Sequence, residues 1–172
     1  AMWWMTGQKH QLSALGLQRL LGFGSYRTAW LWLQKLRRAL VLPDWDRLGG
    51  EVEVDEMPMG NVEAGGGRWH LESKALVAIA AQIDGKGIGR IRLRRIPVAS
   101  PSQLVTFVKH VVEPGSIVIT DGWKGYAGLK QEGFKHRPRL INANGKSVSA
   151  LLPRVHRVAS LLRRWLMGTH QG

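Results

Sequence analysis

The sequence predicts an α/β domain, a mixed sheet flanked by helices, preceded by a small helical segment that resembles a helix-turn-helix. Three observations predict it. At residue 51 the apolar period changes from helical to two, in Glu-Val-Glu-Val-Asp. Strand-like runs and helix signals then follow one another to the C-terminus. The chain has 172 residues and is 44% hydrophobic, enough for one domain with a real core plus a helical appendage.

Residues 11–22 carry Leu12, Leu15, Leu17, Leu20 and Leu21 at helical spacing. Gly22-Phe23-Gly24 breaks that helix. Ser25 is placed to cap a second helix over 26–40, with Trp30, Leu33 and Leu36 on one side. Two short helices joined by a glycine-containing turn read either as a DNA-contacting helix-turn-helix or as an ordinary helical hairpin. Residues 1–42 are thus expected to be helical, and 43–50 a linker. Over 51–55, Val52 and Val54 face one way while Glu51, Glu53 and Asp55 face the other.

Residues 60–73, with Gly60 and Gly65-Gly66-Gly67, read as a flexible loop. Residues 75–83 read as a buried strand, joined by the turn Asp84-Gly85-Lys86-Gly87 to a partner over 88–96. Gly85-Lys86-Gly87-Ile88-Gly89 joins two strands, so it is no nucleotide-binding loop. Ser100 and Pro101 open a helix to about 112. A strand over 116–120, a short helix over 124–132 stopped by Gly133, and a strand over 134–140 follow. The last helix spans 153–167 and ends at Gly168, leaving His170 to a loop. From 51 to 172 the order is β-β-β-α-β-α-β-α. This is the ribonuclease-H-like order, and that fold sets the first and fourth strands side by side.

Charge narrows the partners. There are 25 Lys and Arg against 12 acids, a net charge of +13. Residues 133–172 hold eight cations and no acid. With no membrane-length apolar run, no secretory signal and no clean amphipathic Lys-rich face, nucleic acid is the expected polyanion. Arg27, Lys35, Arg37, Arg38, Lys124, Arg163 and Arg164 are the expected phosphate contacts. The absence of cysteine excludes disulfides and thiolate zinc sites and points to an intracellular setting.

Two of the few acids carry the chemistry. Asp55 and Asp121 each close a strand-like run. Two carboxylates about 4 Å apart repel by roughly 4 kcal/mol at an effective dielectric of 20, so they stay ionised together only around a cation. Mg²⁺ or Mn²⁺ prefers such oxygens and binds phosphate oxygens in the same shell. The last helix has no acid to complete the set. His156 is the metal-competent side chain in its first turn, and it reads either as a ligand or as a polar helix residue. Glu53, on the Asp55 face, is a further candidate, and Glu132 a weaker one. His10, His70, His110 and His136 have no ligand-like spacing. Trp123 and Tyr126 read as stacking platforms for an unpaired base or as cover for the sheet.

Three segments carry a resemblance: Val-Glu-Val-Asp-Glu (52–56), Thr-Asp-Gly-Trp-Lys-Gly-Tyr (120–126) and Val-His-Arg-Val-Ala-Ser-Leu-Leu-Arg-Arg-Trp-Leu-Met-Gly-Thr-His-Gln-Gly (155–172). They resemble bacterial insertion-sequence transposases with the ISXO-type DDE domain. Trp-Trp-Met-Thr-Gly-Gln-Lys-His and Leu-Gly-Phe-Gly-Ser-Tyr-Arg-Thr-Ala-Trp resemble the segment ahead of that domain. The resemblance implies a ribonuclease-H-like catalytic domain over 51–172, divalent metal, and strand cleavage and transfer at element ends. Asp55 and Asp121 match its first two acids, and His156 falls where many relatives carry the third. It also implies a homo-oligomer on DNA, at the nucleoid in the bacterial cytoplasm. Met-Pro-Met-Gly (57–60) departs from the family pattern. The family's segment after Gly-Thr-His-Gln-Gly and its N-terminal cysteine zinc ribbon are absent, so a C-terminally truncated copy is expected. Two other readings stand beside the transposase: an inactive DNA-binding remnant, and an RNA-processing nuclease of the same fold.

Overall fold

The computed structural model describes residues 12–40, 46–59, 75–140 and 151–170, without the side chains of 167–170. The expected loop over 60–73, residues 1–11 and 41–42 of the expected helical segment, and residues 43–45 of the expected linker lie outside the described residues. The chain forms two compact units, Asp46–Ser160 and the described residues of Ala1–Trp45 with Leu161–Gly172.

In the smaller unit α1 (Ala14–Leu21) begins at Ser13, whose hydroxyl accepts from the Gly16 amide at 3.0 Å. It ends at Gly22, in the left-handed region at φ 66°. α2 (Tyr26–Ala39) follows. Ser25 holds the N-cap position without the expected side-chain hydrogen bond. The buried stripe is narrower than the leucine count suggests. Ala14 and Leu17 of α1 meet Leu33 of α2, flanked by Leu12, Phe23 and Leu36. Leu15, Leu20, Leu21 and Trp30 are exposed, so Ala29 rather than Trp30 continues the inward face with Leu33. Phe23 stacks on Trp32 with ring centres 6.2 Å apart.

The larger unit is built on a five-stranded mixed sheet in the order β3-β2-β1-β4-β5, the ribonuclease-H-like arrangement. The strands are β1 (Glu51–Met59), β2 (Ala75–Asp84), β3 (Gly87–Ile96), β4 (Ile117–Thr120) and β5 (Lys135–Pro138). β1–β2 and β2–β3 are antiparallel, and the β2–β3 turn passes through Gly85 at φ 52°. β1–β4 and β4–β5 are parallel. As the alternation predicts, Val52 and Val54 lie in the core on one face, with Ala78, Ala80 and Val118. That face is covered by Leu104, Phe107, Val108 and Val111 of α3 (Pro101–Val111), which is capped by Ser100. Tyr126 and Leu129, from a 3-10 helix over Lys124–Lys130, complete the layer.

Several boundaries differ from expectation. β1 does not stop at Asp55 but runs to Met59, because β2 continues to pair with it as far as Met59↔Ala75. Its pairing with β4 ends at Glu53↔Ile119, and Pro58, a residue without an amide hydrogen, lies beyond that point. Leu48 is no free linker residue. It is fully buried and bridges Val112, with Leu48 N–H donating to the Val111 carbonyl at 2.8 Å. The helix after β4 is a tight 3-10 helix that stops at Lys130. α4 (Pro153–His170) passes through Gly168, so His170 is helical; a helix-interior glycine costs about 1 kcal/mol but does not forbid the helix. Among the described residues no helix is long and apolar enough to cross a membrane.

Candidate functional site

β1 and β4 run parallel with Val52 beside Val118 and Glu53 beside Ile119. Carried two residues further, this register sets Asp55 beside Asp121. Asp55 is mid-strand, at the point where its β4 neighbour ends. Asp121 begins the turn after β4, and the turn fixes it: Asp121 Oδ1 accepts from the Trp123 amide at 3.0 Å, and Gly122 adopts φ 85°. Thr120 Oγ1 accepts from the Gly122 amide at 3.3 Å and is 2.9 Å from His136 Nε2.

Asp121 bears on the Asp55 carboxyl. Burial first, then Glu56 and Asp121, push the Asp55 carboxyl up to about 7, although Oδ1 accepts from the Glu56 amide at 2.9 Å. Glu56 is also raised, by burial and by Asp121, against the lowering effect of a hydrogen bond from Tyr126. Tyr126 Oη donates to Glu56 Oε2 at 2.5 Å. Burial and the carboxylates of Glu56, Asp55 and Asp121 hold the Tyr126 phenol well above its usual range.

His156 comes to the same place. Its Nε2 lies 3.8 Å from Asp55 Oδ2, too far for a hydrogen bond, and is buried without a hydrogen-bond partner among the described residues. Burial lowers the His156 pKa, opposed by the charge of Glu53, and this favours the neutral ring, whose one unprotonated nitrogen can serve as a donor to a metal. An orphaned imidazole nitrogen facing a carboxylate whose charge is suppressed by burial and by its neighbours is a donor set that a divalent cation suits. The side chains are gathered rather than closed: among the described residues no three His, Asp or Glu groups form a metal-holding cage as they stand.

The other candidates divide. Glu53 does not join the carboxylate pair. It is fully buried, and its carboxylate is committed to the first turn of α4. Glu132 forms an ion pair with Lys109 at 2.6 Å. Tyr126 is fully buried and cannot stack on a base, whereas Trp123 is 40% exposed and lies edge-on to it at 6.1 Å. Lys124 is exposed at the start of the 3-10 helix, as are Arg27, Lys35 and Arg38 on α2 and Arg163 and Arg164 on α4. Arg37 is half-buried, its guanidinium 5.8 Å above the Trp165 ring and its pKa lowered by burial. Sequence reasoning gave Glu56 and Tyr126 no polar role. The available signal was Glu56 itself, an acid directly after Asp55 at a position where alternation points it to the apolar face.

Residues 47–172 match the family described as the ISXO2-like transposase domain. No curated protein and no solved structure matches the chain.

Proposed function

This chain belongs to the ISXO2-like transposase domain family, and on that premise we propose that it cleaves and joins DNA strands at insertion-element ends with a divalent cation held by Asp55 and Asp121. The observation that supports the reading is the β1–β4 register, which, carried two residues past Glu53↔Ile119, sets these two acids side by side, with Asp121 raising the Asp55 carboxyl. His156 Nε2, which faces Asp55 Oδ2, is the proposed third donor. When bound, Mg²⁺ or Mn²⁺ would supply Lewis-acid stabilisation of the phosphoryl oxygens and of the attacking and leaving oxygens.

The chain's own residues do the rest. Asp55 and Asp121 bind. The Asx turn orients the Asp121 carboxylate, and the Glu56 amide holds that of Asp55. Trp123, exposed beside Asp121, offers a face to a base at a frayed duplex end. Exposed Lys124 and the arginines of α2 and α4 neutralise phosphates. The attack on phosphorus is by water in cleavage and by a 3′-hydroxyl in transfer, with a 3′-oxygen leaving in each case.

The test is cleavage of a labelled duplex carrying an element end, with Mn²⁺ or with EDTA. The expected result is Mn²⁺-dependent nicking that Asp121→Ala abolishes. Equal nicking by the variant would remove Asp121 from the mechanism.

A further inference from the structure

We propose that Glu53 and Arg154 form a buried clasp that positions His156 against Asp55, an inference that rests on the functional reading above. Glu53 is two residues before Asp55 on the same face of β1, and its side chain is fully buried. A carboxylate is kept in such a place only when it is fully paired.

Its partners are specific. Glu53 Oε2 accepts from the backbone amides of Arg154 at 2.8 Å and Val155 at 3.2 Å. These belong to the first turn of α4, where helix amides lack internal partners and the dipole favours a negative charge. Glu53 Oε1 accepts from Arg154 Nη1 at 3.2 Å, and Arg139 Nη1 is 3.8 Å away. The same Arg154 donates Nε to the Gly87 carbonyl at 2.9 Å and Nη2 to the Gly85 carbonyl at 2.8 Å. One guanidinium thereby ties α4 to β1 and to the β2–β3 turn.

The consequence falls on the next residue. Glu53 grips the amides of residues 154 and 155, so the height and rotation of α4 are fixed immediately before His156. The His156 amide donates to the Leu152 carbonyl at 3.1 Å, within the same turn. Asp55 supplies the carboxylate and Glu53 presents the imidazole to it, both from one strand face. Groups that orient a ligand in this way are typically worth 10- to 100-fold in metal affinity.

The experiment measures Mn²⁺ affinity by electron paramagnetic resonance of the free ion, in Glu53→Gln, His156→Asn and the double variant. Glu53→Gln keeps an acceptor for the α4 amides but loses the charge that holds Arg154. It is expected to weaken Mn²⁺ binding about tenfold. In the His156→Asn background the same change is expected to cost less than about twofold, because the clasp then has no ligand to position. Equal weakening in both backgrounds, or none in either, would overturn the proposal. Arg154→Leu checks the link without a new polar group in the core. Its expected effect is a weakening of about threefold or more that is again lost without His156; an unchanged affinity would overturn the clasp. A wild-type chain that binds no Mn²⁺ would remove the functional reading itself, and this inference with it.

Discussion

At the scale of single residues, Asp55 gives the protein a pH signature. Its carboxyl is raised from 3.8 to about 7, with burial as the largest cause. Between those values the folded chain holds a proton that the unfolded chain has released, so stability falls as pH rises. The contribution is fully present below about 3.8 and is lost as pH passes through 7. Its size is on the order of 4 kcal/mol. In EDTA, thermal denaturation should therefore show a lower Tm at pH 8 than at pH 5, and Asp55→Asn should flatten that difference. On the proposed reading Mn²⁺ stabilises the ionised form, so its gain in Tm should be larger at pH 8 than at pH 5 and should vanish in Asp55→Asn. Tyr126→Phe tests the neighbouring pair. It strands the half-buried Glu56 without its hydroxyl donor and should cost about 1–3 kcal/mol in urea denaturation; a loss near zero would mean that water replaces the hydroxyl.

The residues of this site were legible to different degrees, for physical reasons. Asp55 and Asp121 stand out because acids are scarce and both follow apolar runs. His156 stands out because the last helix has no acid. Glu56 and Tyr126 could not be paired from sequence, since they meet only when the 3-10 helix folds back under β1. Glu53 was legible as a polar residue on the Asp55 face. Its commitment to the amides of residues 154 and 155 depends on where α4 starts in space, which no local pattern encodes.

At the scale of elements, period and turn chemistry predicted the strand order well, because each strand is bounded by glycine, proline or a charged turn. The ends were less legible where a tertiary partner overrides a local signal. β1 passes Asp55 because β2 still offers it a ladder. α4 passes Gly168 at a cost a helix tolerates. The turn after β4 is where local conformation and site geometry are the same thing. Gly122 has φ 85°, and a Cβ there would lie 2.5 Å from Leu140 Cδ2. Gly122→Ala is therefore expected to cost about 1–3 kcal/mol from backbone strain. The shift should also move the Trp123 amide off Asp121 Oδ1, so Mn²⁺ affinity should fall along with Tm. A variant with reduced Tm and wild-type Mn²⁺ affinity would show that the turn holds the fold but not the carboxylate.

At the scale of the whole molecule, a net charge of +13 and the Asp55–Asp121 pair pull in opposite directions on the same ligand. On the proposed reading, cations spread along the chain attract the DNA backbone, while the two acids repel it until a metal intervenes. Binding and chemistry should therefore separate. If about eight cations meet phosphates, log K for duplex DNA in EDTA falls against log salt with a slope near −7. Removing two of the exposed cations, in Arg38→Ala with Arg164→Ala, should bring the slope to about −5 and weaken all sequences alike. Asp121→Asn should do the reverse. It removes a negative charge near the scissile phosphate, so DNA affinity in EDTA should stay the same or rise slightly, with the salt slope unchanged. The same variant should lose Mn²⁺-dependent nicking. Filter-binding titrations across a salt series, paired with cleavage on the same duplex, distinguish the two effects. Loss of DNA binding in Asp121→Asn would mean that this aspartate holds the fold or the DNA rather than the cation.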